Sequence, residues 1–125
     1  MPTPTTRNRF IAMVESNDHV RACEEFYTEH STMQENQGTP RVGREAHAAN
    51  ERRVLSRARA VSSSCVRPVL VNGDHVVMRW IFRFDWADGT VTRMEELAWQ
   101  RWEGELIAQE SFFYDPVQLK PKASV

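Results

Sequence analysis

Three glutamates and a tyrosine stand out by type and setting. Glu35 sits between two amides, Gln34 and Asn36, where a strand-like stretch ends. Glu96 and Glu110 fall inside long strand-like runs, and Tyr114 follows Glu110 on the same strand face. Carboxyl groups brought together share protons, and two of unequal affinity make a general acid and a general base. A phenol beside them adds a hydrogen-bond donor. The plainer alternatives are a solvated strand end whose side chains cap the following loop and helix, and carboxylates neutralised by an arginine such as Arg79 or Arg83.

The totals narrow the function classes. A chain of 125 residues is most simply one domain, able to bury about two thirds of its unfolded surface. The 16 basic side chains nearly balance the 17 acidic ones, and the arginines form no block interleaved with aromatics. Neither nucleic acid nor an anionic membrane is therefore an expected partner. No apolar run is long enough to cross a bilayer, and MPTPTTRNRF lacks the apolar core of a secretory signal, so a cytoplasmic location is expected. Cys23 and Cys65 lie far apart with no CxxC spacing and read as small buried residues. His19, His30, His47 and His75 show neither HxxxH nor HExxH. No metal and no cofactor are expected.

The elements that must position the acids come in two blocks. Thr5 or Thr6 can cap a first helix to about residue 16, with Phe10, Met13 and Val14 on one face. Asp18 can cap a second, whose Val20, Cys23 and Tyr27 follow helical spacing. A short strand over 30–36 is next, and Gly43 opens a third helix to about residue 57. Its sparse apolar positions are Ala46, Ala49 and Leu55, and Arg44, Glu45, Glu51, Arg52, Arg53 and Arg57 read as its solvated face. From residue 59 the period becomes two. Strands are expected over 61–71, 75–86, 91–102 and 106–114, joined by tight turns at Asn72-Gly73, Asp88-Gly89 and Gly104. Asp115-Pro116 ends the last strand, and the tail LKPKASV is expected to fray.

Each long strand carries two unlike faces. Trp80, Phe82, Phe84 and Trp86 share one side of the second long strand, and such rings can bury about 150–250 Å² each. Core packing explains them; so does the wall of a ligand cavity in a sheet that curls around helices. In the next strand Met94, Glu96, Ala98 and Gln100 alternate with Glu95, Leu97, Trp99 and Arg101. Leu97, Trp99 and Phe113, with Ile81, would make an apolar outer surface.

Helix, helix, strand, helix and four long strands resemble the nuclear transport factor 2-like, or SnoaL-like, superfamily over residues 9–116. The carriers are FYTEHSTMQENQGTPRVGREA and RMEELAWQRWEGELIAQESFFYDP. The resemblance implies an α+β cone, with three N-terminal helices packed in the concave face of a curved, mainly antiparallel sheet, as in ketosteroid isomerase, scytalone dehydratase and the polyketide cyclases. It implies a single domain over 1–125 with an ordered core at about 5–117. Matching Tyr27 to the family tyrosine puts the isomerase base position on Glu35; matching through Pro40 and Gly43 without a gap puts it on Gln34. Strand alternation, which sets Glu35 on the face of Met33, favours Glu35.

By the same resemblance Glu35, Glu96 and Glu110 approach one another with Tyr114 as a hydroxyl donor, in a pocket lined by Phe10, Met33, Trp80, Phe82, Phe84, Ala98 and Phe112. The two isomerase oxyanion donors fall on Phe10 and near Ala98, neither of which can donate, so ketosteroid isomerase chemistry itself is not expected. An epoxide hydrolase would need an Asp–Arg–Asp-like cluster, and no aspartate takes an inner position. Three functions remain: an acid–base isomerase, cyclase or dehydratase on an apolar carbonyl-bearing compound, a non-catalytic binder of an apolar small molecule, or an interaction module. A homodimer through Ile81, Leu97, Trp99 and Phe113 is the expected assembly.

Overall fold

A computed structural model describes residues 1–124. Thr3 caps the first helix, α1 (Pro4–Glu15), its hydroxyl accepting from the Thr6 N–H at 3.1 Å. The cap precedes the expected Thr5 or Thr6 because Pro4 holds its predecessor extended and itself suits the first helical turn. Then come α2 (His19–Phe26), β1 (Tyr27–Glu35), β2 (Arg41–Val42), α3 (Arg44–Leu55), β3 (Ala58–Asn72), β4 (His75–Trp86), β5 (Thr90–Glu103) and β6 (Leu106–Phe113). A 3-10 turn (Pro116–Leu119) and a short β7 (Lys122–Ala123) close the chain.

The strands form one sheet in the order β2-β1-β6-β5-β4-β3. All pairings are antiparallel except β1 with β6, which the crossover from the helical block makes parallel. Register breaks between Tyr27 and Thr32, between Val66 and Leu70, and between Arg101 and Trp102 let the sheet bend, as bulges do. The three helices lie against its concave face. Their core includes Phe10, Ile11, Ala22 and Phe26 against Met78 and Trp102. This is the α+β architecture the sequence implies.

Some expectations change. Tyr27 does not complete the face of α2; it is the first residue of β1. The buried residues of α3 are His47 and Ala48, while Ala49 is exposed. Gly43 has φ 105°, a conformation glycine adopts freely. Its N–H donates to the Ser31 carbonyl at 2.8 Å, which fixes α3 against β1. Residues 116–123 fold back toward the sheet. Past the end of β6 the start of β5 has a free edge, and β7 takes it through Thr90↔Ala123 and Val91↔Lys122. Cys23 and Cys65 are both buried and free. No helix among the described residues is long and apolar enough to cross a membrane.

Candidate functional site

Between helices and sheet lies a cavity of about 860 Å³. One wall is the inner face of β4. Trp80 and Phe82 stack at 5.5 Å between centroids and 12° between planes, and Phe84 and Trp86 at 5.1 Å and 5°. Alternate residues of a strand project from the same face, so the aromatic period seen in the sequence becomes a continuous ladder. His19 meets Phe82 edge-on at 5.5 Å, and the Arg57 guanidinium lies over Trp86 at 5.6 Å. Arg57, Ala87, Asp88, Leu119 and Pro121 are among the lining residues, so the folded-back tail contributes to the wall.

Glu110 occupies a fully buried position on β6. Tyr27 forms a short hydrogen bond with its Oε1, and Gln100 Nε2 donates to Oε2 at 2.7 Å. Trp102 Nε1 in turn donates to Gln100 Oε1 at 3.0 Å. Burial pushes the Glu110 carboxyl up to about 7, against the opposing pull of the two hydrogen bonds. Burial and the nearby acid also push the Tyr27 phenol far above its ordinary value, so it stays protonated.

Glu96, on β5 opposite Trp80, lines the same cavity. Burial first, then the charges of Glu110 and Glu35, push it up to about 8. No hydrogen bond stabilises its charged form among the described residues. The carboxyl is therefore mostly neutral at pH 7, and its partly accessible surface belongs to a cavity wall.

Glu35 lines the cavity from its exposed rim and accepts a hydrogen bond from the Tyr114 hydroxyl at 2.9 Å. Burial, then the bond to Glu35, raises the Tyr114 phenol, which remains a donor. The amides flanking Glu35 serve the turn instead. Gln34 Nε2 donates to the Gly38 carbonyl at 2.9 Å, and Asn36 Oδ1 accepts from the Tyr114 N–H at 3.1 Å. Of the two base alignments, the structure therefore gives Glu35 the cavity and Gln34 the loop.

The other expected positions divide. Phe10, Met33, Trp80, Phe82, Phe84 and Phe112 line the cavity with the three glutamates. Ala98 does not: it is completely buried in the packed core, too short to reach the hollow. Tyr114 touches the site through Glu35. Glu51 and Arg57, read as solvated helix face, line the cavity, Glu51 from α3 and Arg57 from the connection to β3, where it lies over Trp86. The arginines expected as carboxylate partners point outward, Arg79 to Glu95 and Arg83 to Asp85.

Tyr27, Gln100, Trp102 and His47 were not singled out as site residues. His47 is completely buried, and its Nε2 lies 3.2 Å from the Ser31 carbonyl while Nδ1 accepts from Arg41 Nε at 3.3 Å. Those partners fix a neutral ring with the proton on Nε2, and burial together with the Arg41 charge lowers its proton affinity. Among the described residues no cluster of three or more His, Cys, Asp or Glu side chains could hold a metal ion.

Solved structures share this architecture at low identity. A hypothetical protein with a ketosteroid isomerase-like fold from Catenulispora acidiphila, in complex with trimethylamine, superposes with a TM-score of 0.74 at 18% identity over 91% of this chain and 88% of that one. A putative SnoaL-like polyketide cyclase from Mesorhizobium loti gives 0.74 at 20%, over 91% and 100%. An LEH-like epoxide hydrolase of M. tuberculosis gives 0.74 at 10%, over 91% and 83%. No curated protein matches by sequence. The SnoaL-like domain model matches residues 8–110, and with the fold in agreement the chain belongs to the SnoaL-like domain family.

Proposed function

We propose that the protein binds an apolar, carbonyl-bearing small molecule in the helix–sheet cavity and performs acid–base chemistry on it, as an isomerase, cyclase or dehydratase does. The observation that carries this reading is the pairing of two carboxyls on one aromatic-lined cavity, Glu35 at the rim and Glu96 on the wall. The latter has no cation or hydrogen-bond donor beside it among the described residues, a setting that raises its proton affinity. Glu35, at the rim and oriented by Tyr114, is the base. It removes a proton from the carbon next to the carbonyl, and the C–H electron pair moves into a new C=C bond. Glu96 gives its proton to the carbonyl oxygen, leaving an enol. Glu35 then returns its proton to another carbon of the conjugated system as Glu96 recovers its own from the enol oxygen, which completes an isomerisation and restores the Glu35 carboxylate and the Glu96 acid. The rings of β4 hold the apolar body by stacking. Trimethylamine in one neighbour and the polyketide cyclase and epoxide hydrolase descriptions of others support a small-molecule pocket on this fold.

The test begins with a thermal-shift screen of aromatic ketones, since a ligand that binds only the folded state raises Tm. A ketone that binds is then followed in D2O by NMR for exchange of its α-hydrogens. Wild-type protein is expected to accelerate exchange, and Glu35→Gln to lose about 10²–10⁴ of that acceleration while keeping affinity. Binding without exchange in the wild type would reduce the protein to an apolar-ligand binder, the reading the aromatic ladder alone supports. No binding across the panel would remove the small-molecule site.

We also propose a homodimer through the outer sheet face. Leu97, Trp99 and Phe113 are 45%, 51% and 40% exposed on adjoining strands, with Ile81 half-buried beside them. Trp99→Asp is expected to convert the species measured by sedimentation from dimer to monomer without loss of fold. A wild-type monomer at micromolar concentration would end the proposal.

A further inference from the structure

The polar chain of Trp102, Gln100, Glu110 and Tyr27 beside the cavity has a direction. The argument starts at Trp102, whose indole N–H can only donate. It donates to Gln100 Oε1, which settles which end of that amide is oxygen. Gln100 must then present Nε2 to Glu110, and Oε2 of Glu110 is occupied as an acceptor. Any proton on Glu110 therefore resides on Oε1, the oxygen that meets Tyr27.

Glu110 has reason to hold that proton. It is 2% exposed, and no cationic side chain lies within ion-pair distance of it among the described residues. Arg41, the cation that acts on it from a distance, is hydrogen-bonded to His47 and Met33. A buried carboxylate without a cation is costly, and an apolar ligand that displaces water from the cavity raises that cost. With the proton on Oε1, Glu110 donates to the Tyr27 oxygen. The hydrogen of Tyr27 can then no longer serve Glu110, and the phenol, itself buried among Phe10 and His47, faces the cavity it helps to line.

We infer that Tyr27 is a hydrogen-bond donor to the ligand's carbonyl oxygen, held in that role by a one-way chain from Trp102 through Gln100 and a neutral Glu110. This rests on the proposed carbonyl-bearing ligand and assigns it a deep donor in addition to Glu96. Tyr27 then takes a role that Phe10 and Ala98 cannot fill. Glu110 is a positioning residue here and transfers no proton in the reaction.

The probe is an acetylnaphthalene labelled with carbon-13 at its carbonyl, bound to the intact protein and observed by infrared difference spectroscopy. A donated hydrogen bond lowers the carbonyl stretch relative to the same ketone in hexane. Tyr27→Phe is expected to move the band back toward higher wavenumber and weaken binding roughly tenfold, the effect of one hydrogen bond. Glu110→Gln mimics the neutral acid, with its amide donating to Tyr27 and its oxygen accepting from Gln100, so its band should equal the wild-type band. A band unchanged in Tyr27→Phe overturns the inference. So does a Glu110→Gln band lower than wild type, because Glu110 would then have been ionised and taking the Tyr27 hydrogen for itself.

Should Tyr27→Phe fail to fold, the wild-type complex still decides by proton NMR. The sequestered Tyr27 hydroxyl proton should show an Overhauser contact to the acetyl methyl group, and its absence in a saturated complex refutes the assignment. A shifted band without α-hydrogen exchange would leave Tyr27 as a donor and remove the proposed chemistry. A probe that does not bind removes both.

Discussion

Glu95 and Glu96 are neighbours in sequence and opposites in chemistry. Glu95, on the outer face, pairs with Arg79, whose Nε lies 2.6 Å from its carboxylate in solvent. Glu96, one residue on, turns through the sheet into the cavity, gains no such partner and holds its proton up to about 8. The contrast extends along both faces. Outside, Arg83 pairs with Asp85 at 3.0 Å and Arg101 with Glu103 at 3.5 Å, around an apolar island. Inside, the acids on the cavity wall outnumber the cations, and Glu110 has only neutral hydrogen-bond partners, Gln100 and Tyr27. A strand's period of two lets one sheet carry a water-balanced surface and a proton-holding interior. The same residue type is a soluble charge on one side and a weak acid on the other.

The largest break in this comparison should come from its tryptophans. Trp102 is 1% exposed and holds Gln100 in place, whereas Trp99 on the same strand is half exposed. Trp102→Ala is expected to cost about 3–5 kcal/mol in urea denaturation, from the void and from the abandoned amide. Trp99→Ala, in protein dilute enough to be monomeric, should cost well under 1 kcal/mol by the ordinary behaviour of surface sites. Equal costs would mean that the two faces are not inside and outside.

A smaller effect sharpens the contrast between the acids. Between the ordinary glutamate value of 4.5 and the raised value of about 8, folded protein holds the Glu96 proton and the unfolded chain does not. Stability from this group is therefore full at low pH and lost as pH rises through about 8. Glu96→Gln keeps a neutral side chain at every pH. Its stability relative to wild type should rise by about 1–2 kcal/mol between pH 5 and pH 9, allowing for screening through the open mouth. Glu95→Gln should show no such trend, and a parallel trend would put Glu96 in water.

What could be read from the sequence follows from how local its causes are. The hairpin turns at Asn72-Gly73, Asp88-Gly89 and Gly104 and the alternation of β4 and β5 depend on near neighbours, and the aromatic ladder and the two faces came through. Tyr27 did not, because the apolar spacing of α2 runs on smoothly to it, and the break in β1 register before Thr32 hides the strand's own alternation. The polar chain was hidden by a bulge. Without the shift at Arg101 and Trp102, the hairpin would set Gln100 opposite Gln109 rather than Glu110. Ala98 has the right face and too little reach, which no pattern of types reveals. The neutralisation of Glu96 depends on how far the arginines of β4 turn away from it, a fact about the sheet and not about any stretch of residues.

The smallest expected effect tests the outer face on its own terms. Arg79 and Glu95 are each about half exposed, so water competes for both charges and salt screens their attraction. Arg79→Ala should therefore change stability by less than about 0.5 kcal/mol, and that change should vanish in 1 M salt. It should also leave the pH dependence caused by Glu96 intact, because the guanidinium is on the far side of the sheet from that carboxyl. A steeper pH dependence in Arg79→Ala would mean that the arginine's field reaches through the strand to the inner acid. The two faces would then be one electrostatic system, and the neutrality of Glu96 would depend on its neighbour's partner as well as on burial.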